Sequence, residues 1–163
     1  MDMFRLNHEQ LLKGVNLSFQ RYLSRQVKWD RRLIGLFGAK GVGKTTLLLQ
    51  HIKSTYGDSH EALYLPLDNI WFQKRHMLSE TVRRFHEKGG RHLFLDNVHR
   101  YGNWIQAIER LHDDYPDMQI VFAAPSLVEG EKMEPSLGGK GDWYTLHTMS
   151  FREYLSYEGA LGL

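Results

Sequence analysis

Gly38-Ala39-Lys40-Gly41-Val42-Gly43-Lys44-Thr45 carries the densest chemistry in the sequence. It spells GxxxxGKT, with Thr46 directly behind it. Glycines at 38, 41 and 43 let a loop turn its backbone N–H groups inward, and such a concave set of donors closes on phosphate oxygens. Lys44 adds a cation able to reach the β- and γ-phosphates of a nucleoside triphosphate, and the Thr45 hydroxyl is a ligand for Mg²⁺. The motif requires a strand before it and a helix after it. LIGLF (33–37) is a short apolar run ending at Gly38, and TTLLLQHIKSTY (45–56) has helical spacing, so its N-terminus adds partial positive charge at the loop. The expected nucleotide-binding set is Gly38, Ala39, Lys40, Gly41, Val42, Gly43, Lys44, Thr45 and Thr46.

Leu93-Phe94-Leu95-Asp96-Asn97 supplies a second element. An aspartate at the C-terminal end of a buried strand suits Mg²⁺ held through water, which makes Thr45 and Asp96 the expected metal pair. A glutamate at the next position would polarise the attacking water. Asn97 is one methylene shorter and uncharged; it can hydrogen-bond a water but cannot accept its proton.

These residues need a scaffold. ALYLPL (62–67), HLFLD (92–96), QIVFAA (119–124) and WYTLHT (143–148) read as strands beside LIGLF. Helices are expected over 45–56, 74–88 and 103–115, and one starts at Ser150, where Glu153 completes a capping box. An amphipathic helix is expected over 4–28 from Leu12, Val15, Phe19, Tyr22 and Leu23, and residues 126–142 read as loop. Strands alternating with helices, several of them continuously apolar, predict an α/β fold: a three-layer α/β/α sandwich around a mainly parallel five-stranded sheet.

The chain has 163 residues, 42% hydrophobic and 25% charged, which suits one domain of a globular protein. The domain divides into an N-terminal helix (1–30), a nucleotide-binding core (31–149) and the start of a further helix (150–163), where the sequence reads as cut. No run is apolar and long enough to span a bilayer, so no membrane partner is expected. Cysteine is absent, which removes disulfides and thiolate sites; a cytoplasmic location is the expectation. Residues 1–53 carry ten Lys/Arg against three Asp/Glu, read as a solvated helix face followed by the phosphate loop.

The blocks GAKGVGKTTLLLQHIK, LYLPLDNIWF, LFLDNVHRYGNW, IVFAAPSLVEG and LHTMSFREYL resemble those of the bacterial and archaeal AAA-type ATPases, over about residues 20–160. Members commonly carry a further C-terminal domain. The resemblance implies a P-loop NTPase core, ATP and Mg²⁺ as cofactors, Lys44, Thr45 and Asp96 in the roles above, and the strand before Ser126 lying between the other two motif strands. It also implies Lys44, a degenerate Asn97 and a γ-phosphate-sensing Ser126 as catalytic residues. Three positions depart from the pattern: Asn97 replaces the glutamate, Ala123-Ala124-Pro125-Ser126 replaces a polar turn, and Lys140 stands where an arginine would stabilise charge. Lysine keeps the charge but loses the planar fork.

The histidines form no HExxH, and most read as surface residues; His99, just after the Asp96 strand, could face the γ-phosphate. Arg100 and Arg110 suit a solvated face better than a finger, and Trp71, Phe72 and Trp104 suit a core better than a base platform. The function expected is therefore a weak or impaired ATPase. The alternatives are a non-catalytic nucleotide switch and a nucleic-acid-handling module contacting through the basic N-terminal helix; a kinase would need an arginine-bearing lid. Self-association is expected through Phe151, Tyr154 and Leu155.

Overall fold

The computed structural model describes residues 3–126 and 137–161. The expected runs form β1 (Leu33–Phe37), β2 (Ala62–Pro66), β3 (His92–Asp96), β4 (Gln119–Ala124) and β5 (Asp142–Thr145), the last ending short of the expected 148. They make one sheet in the order β2-β3-β4-β1-β5, and every pairing is parallel. Parallel strands need crossover connections, and these put helices on both faces. α3 (Lys44–Tyr56) lies on one face, and α4 (Met77–Glu87) and α5 (Trp104–Asp114) on the other.

Side chains alternate across each strand, so each strand feeds two cores. Leu33, Phe37, Leu65, Leu95 and Phe122 pack with α4 and α5. Ile34, Leu36, Tyr64, Phe94 and Val121 pack with α3. This two-sided burial explains why the strands read as unbroken apolar runs. Gly35 sits in the middle of β1 because a Cβ there would stand 2.7 Å from the Trp143 ring and 2.8 Å from Phe122.

The N-terminal region differs from the single helix expected over 4–28. It forms α1 (Met3–Lys13), a non-helical stretch, and the one-turn α2 (Leu23–Gln26). Gly14 ends the first helix, and the Asn16 side chain accepts the Ser18 N–H at 2.8 Å, a local turn that competes with helix. The freed carbonyls are taken up by α3. Gln50 donates to the carbonyls of Asn16 (2.9 Å) and Phe19 (2.7 Å), and Lys53 to that of Val15 (2.7 Å). The helix expected from 74 starts at 77, after a 3₁₀ turn at Ile70–Gln73 capped by Asn69, whose side chain accepts the Trp71 N–H at 2.9 Å. Of the loop expected over 126–142, residues 127–136 lie outside the described residues.

Strand β2 is an edge of the sheet, and α1 covers it. Arg5, 8% exposed, donates to the Ala62 carbonyl at 2.8 Å, and the Tyr64 N–H donates to His8 Nδ1 at 3.0 Å. Both groups would otherwise be unpaired strand backbone. The basic front end is thus partly structural, not wholly a solvated face: Arg5, Arg21 and Arg32 bond backbone carbonyls.

After β5 the chain enters α6 (Phe151–Leu161). Its capping box forms as the sequence predicts, with Glu153 N–H donating to Ser150 Oγ and Ser150 N–H to Glu153 Oε1, both at 3.2 Å.

Candidate nucleotide site

The C-terminal ends of β1, β3 and β4 meet at one edge of the sheet. Between β1 and α3 the phosphate loop turns, with Gly41 at φ 81° and Gly43 at φ 112°, values that favour glycine. A cleft of about 480 Å³ opens over it. One wall is Lys40, Gly41, Gly43, Lys44, Thr45 and Thr46. The opposite wall is Asp68, Asn97, His99, Arg100 and Pro125.

Lys44 heads α3 and is 9% exposed. Its Nζ donates to the carbonyls of Gly38 and Ala39, the latter at 3.1 Å. Burial pulls the ammonium below its ordinary pKa, and the charge of Asp96 acts in the opposite direction. Thr45 Oγ1 donates to Asp96 Oδ2 at 2.5 Å, so the two expected metal residues meet. Asp96 is 1% exposed and receives two further donors: Tyr64 OH to Oδ2 at 2.6 Å and Asn97 N–H to Oδ1 at 3.0 Å. A buried carboxylate is costly unless so satisfied. Burial, then the charge and hydrogen bond of Asp96, push the Tyr64 phenol far above its ordinary pKa, so it stays a donor.

A hydroxyl and a carboxylate side by side are hard oxygen donors of the kind Mg²⁺ takes. Among the described residues no cluster of three or more His, Cys, Asp or Glu could cage a metal. Two protein oxygens with phosphate and water completing the shell is the usual manner of Mg²⁺, and the residues fit it.

Asn97 lines the cleft with φ 52° and ψ 42°. Asparagine tolerates this left-handed conformation better than glutamate does. His99 and Arg100 follow on a 3₁₀ turn (Val98–Arg100) and also line the cleft. At the end of β4 the lining residue is Pro125; Ser126 follows it and is not part of the wall. Gly38, Ala39 and Val42 shape the loop without lining the cleft. Lys140 lies at the other edge of the sheet, before β5, with Nζ 3.6 Å from Glu109 and 3.9 Å from Asp113 on α5. It therefore cannot serve the phosphates of its own chain.

Three residues stand out that motif reading did not mark. Arg21, 7% exposed, holds three segments with one guanidinium: it donates to the Val42 carbonyl of the phosphate loop (2.7 Å), to the His147 carbonyl (2.6 Å) and to Glu153 Oε2 on α6 (2.8 Å). Asp68 brings a second carboxylate to the cleft. Tyr64 reaches Asp96, and its one sequence signal was a hydroxyl inside the apolar strand ALYLP, which needs a partner when buried. Arg21 left no such signal. Among the histidines, His8 is 1% exposed and His51 stacks on Trp29 at 3.7 Å, so these two are packed and not on the surface. Phe72 and Trp104 are in the core, and Trp71 is 37% exposed.

Residues 30–155 match the family model of the AAA domain. The chain belongs to the AAA domain family. Among solved structures, the AMPPCP-bound DnaA from Aquifex aeolicus is similar at 13% identity and a TM-score of 0.57, over 98% of this chain and 51% of that one. A DNA replication initiation factor gives 14% identity and 0.55, over 98% and 50%. C. elegans PCH-2 gives 16% identity and 0.46, over 88% and 39%. The chain thus spans about half, or less, of each of these proteins. A comparison with curated proteins found no match. As an AAA domain, the chain is a nucleotide-binding P-loop domain of the ATPase type. The order β3-β4-β1 puts the Pro125–Ser126 strand end between the loop and the Asp96 strand, as that fold requires.

Proposed function

We propose that the chain binds ATP with Mg²⁺ in this cleft and hydrolyses it slowly. One observation carries the reading: the Thr45 hydroxyl lies on the Asp96 carboxylate at 2.5 Å, beside Lys44 and the loop amides. Lys44 exchanges the Gly38 and Ala39 carbonyls for the β,γ-phosphate oxygens. The amides of residues 41–46 turn toward the phosphates, aided by the N-terminus of α3. Mg²⁺, when bound, draws charge from the phosphate oxygens; Thr45 and Asp96 are the residues that would hold it. Tyr64 and the Asn97 N–H keep the Asp96 carboxylate in place.

Hydrolysis needs a water placed in line with the γ-phosphorus and a base for its proton. Asn97 can orient that water and cannot deprotonate it. Asp68 is the one carboxylate and His99 the one imidazole among the lining residues described, and these are the two side chains there able to take the proton. Positioned bases contribute about 10²–10⁴-fold, so an AAA domain with asparagine here turns over slowly.

The test is calorimetric titration with MgATP alongside phosphate release, for the parent and Lys44→Ala. Binding by the parent and its loss in the variant are expected. Equal affinity in both would overturn the phosphate-loop assignment, and brisk, Lys44-dependent release would overturn slow turnover. A second reading, a binding switch without turnover, is favoured by Arg21, which ties the Val42 carbonyl to α6.

A further inference from the structure

A second cavity, of about 430 Å³, lies beside the nucleotide cleft between the segments that leave β2 and β3. Lys74, Arg75, His76, Arg100 and Arg110 line it, over an apolar floor that includes Leu67 and Tyr101. No carboxylate is among its lining residues. Elsewhere on the described surface several cations have acid partners. Arg83 and Arg84 pair with Glu80, Arg91 with Asp117, and Lys140 with Glu109. Arg75, Arg100 and Arg110 make no side-chain hydrogen bond or ion pair among the described residues, and Lys74 sits 4.6 Å over the Trp71 ring. Several cations gathered together repel one another, and among the lining residues no acid offsets that.

We propose that this cavity is the seat of a single-stranded nucleic acid, its phosphates on Arg75, Arg100 and Arg110 and a base against Tyr101. Three guanidinium forks match phosphate oxygens in pairs, which favours a phosphodiester chain over an acidic peptide. Cations interleaved with aromatic faces are how single strands are held without sequence preference, since every base has a π-face. The basic N-terminal segment is a poorer contact, because Arg5, Arg21 and Arg32 are committed to carbonyls within the fold. Arg100 lines both cavities, so strand and nucleotide meet at one side chain.

Fluorescence anisotropy with a labelled 20-nucleotide oligo(dT) tests this, with duplex DNA of the same length and poly-glutamate as competitors. Binding should weaken with salt along a slope of about −0.7 per phosphate engaged. Arg75→Ala and Arg110→Ala, both exposed and outside the nucleotide cleft, should each weaken binding about tenfold and flatten that slope by about 0.7. Arg25→Ala, an exposed N-terminal control, should leave it unchanged, and Lys44→Ala should still bind the oligonucleotide, which separates this inference from the ATP reading. Circular dichroism melts confirm that the variants fold. No binding at 50 mM salt, indifference to Arg75 and Arg110, loss in Arg25→Ala, or preferential displacement by poly-glutamate would each overturn the proposal.

Discussion

Asn97 shows how backbone and chemistry compete at one position. Its φ of 52° lies where a residue with a long side chain pays no compensating local hydrogen bond, and an L-residue loses about 1–2 kcal/mol there. Asn97→Glu is therefore expected to lower stability by about 1 kcal/mol in urea while raising phosphate release about tenfold, short of the full effect of a positioned base. An unchanged rate in a folded variant would mean that no base is missing. Asp68→Asn is expected to lower the residual rate with ATP affinity retained, seen as a fall in kcat at constant KM. Tyr64→Phe removes one of three donors from a buried carboxylate. Hydrogen bonds to charged groups contribute about 1.5–3 kcal/mol, so chemical denaturation should report a loss of that order.

Among the elements, the join between the phosphate loop and α6 rests on Arg21 and Glu153. Burial pushes the Glu153 carboxyl up, but hydrogen bonds from Arg21 and from the Tyr22 and Ser150 N–H groups, with the Arg21 charge, outweigh this and bring it down to about 2. A carboxyl lowered in the folded state stabilises above its unfolded value and loses that contribution as pH falls. The chain should therefore lose stability between about pH 4.5 and pH 2, and Glu153→Gln should flatten that limb in acid titration monitored by fluorescence. Arg21→Lys should not restore the join, because one ammonium cannot serve Val42, His147 and Glu153 with the geometry of a fork.

At the scale of the whole molecule, two packed histidines govern behaviour nearer neutrality. Burial, with Arg5 and His60 close by, lowers His8 to about 4; burial and His92 lower His51 to about 4. His8 must be neutral at Nδ1 to accept the Tyr64 N–H. Both groups bind protons more readily when unfolded, so stability should fall from about pH 6.5 to pH 4, a window that lies mostly above that of Glu153. His51→Phe keeps a ring against Trp29 and should remove part of that slope in thermal melts taken across the window. The other whole-molecule expectation concerns α6, where Phe151 is 77% and Leu155 51% exposed. Sedimentation should show concentration-dependent association of the chain, relieved in Phe151→Ser/Leu155→Ser with the melting temperature unchanged.

The sequence by itself determined the sheet and the phosphate loop. β1, β3 and β4 run over the residues expected, because strands buried on both faces must be apolar throughout and the glycines and Pro116 punctuate them. GxxxxGKT and the strand-end Asp96 were legible because each depends on a local pattern whose neighbours are in the chain. Only the tertiary structure decided the rest. The chain leaves α1 at Gly14 and the Asn16 turn, and only the docking of α3 supplies Gln50 and Lys53 to hold the carbonyls this frees. Lys140 was displaced from the site because its strand starts at the far edge of the sheet, beside α5. Tyr64 reached Asp96 only when β2 was laid against β3, and Arg21 found the phosphate loop and Glu153 across 21 and 132 residues of chain. Such contacts pair one donor with partners brought close by packing, and no spacing along a single sequence records them.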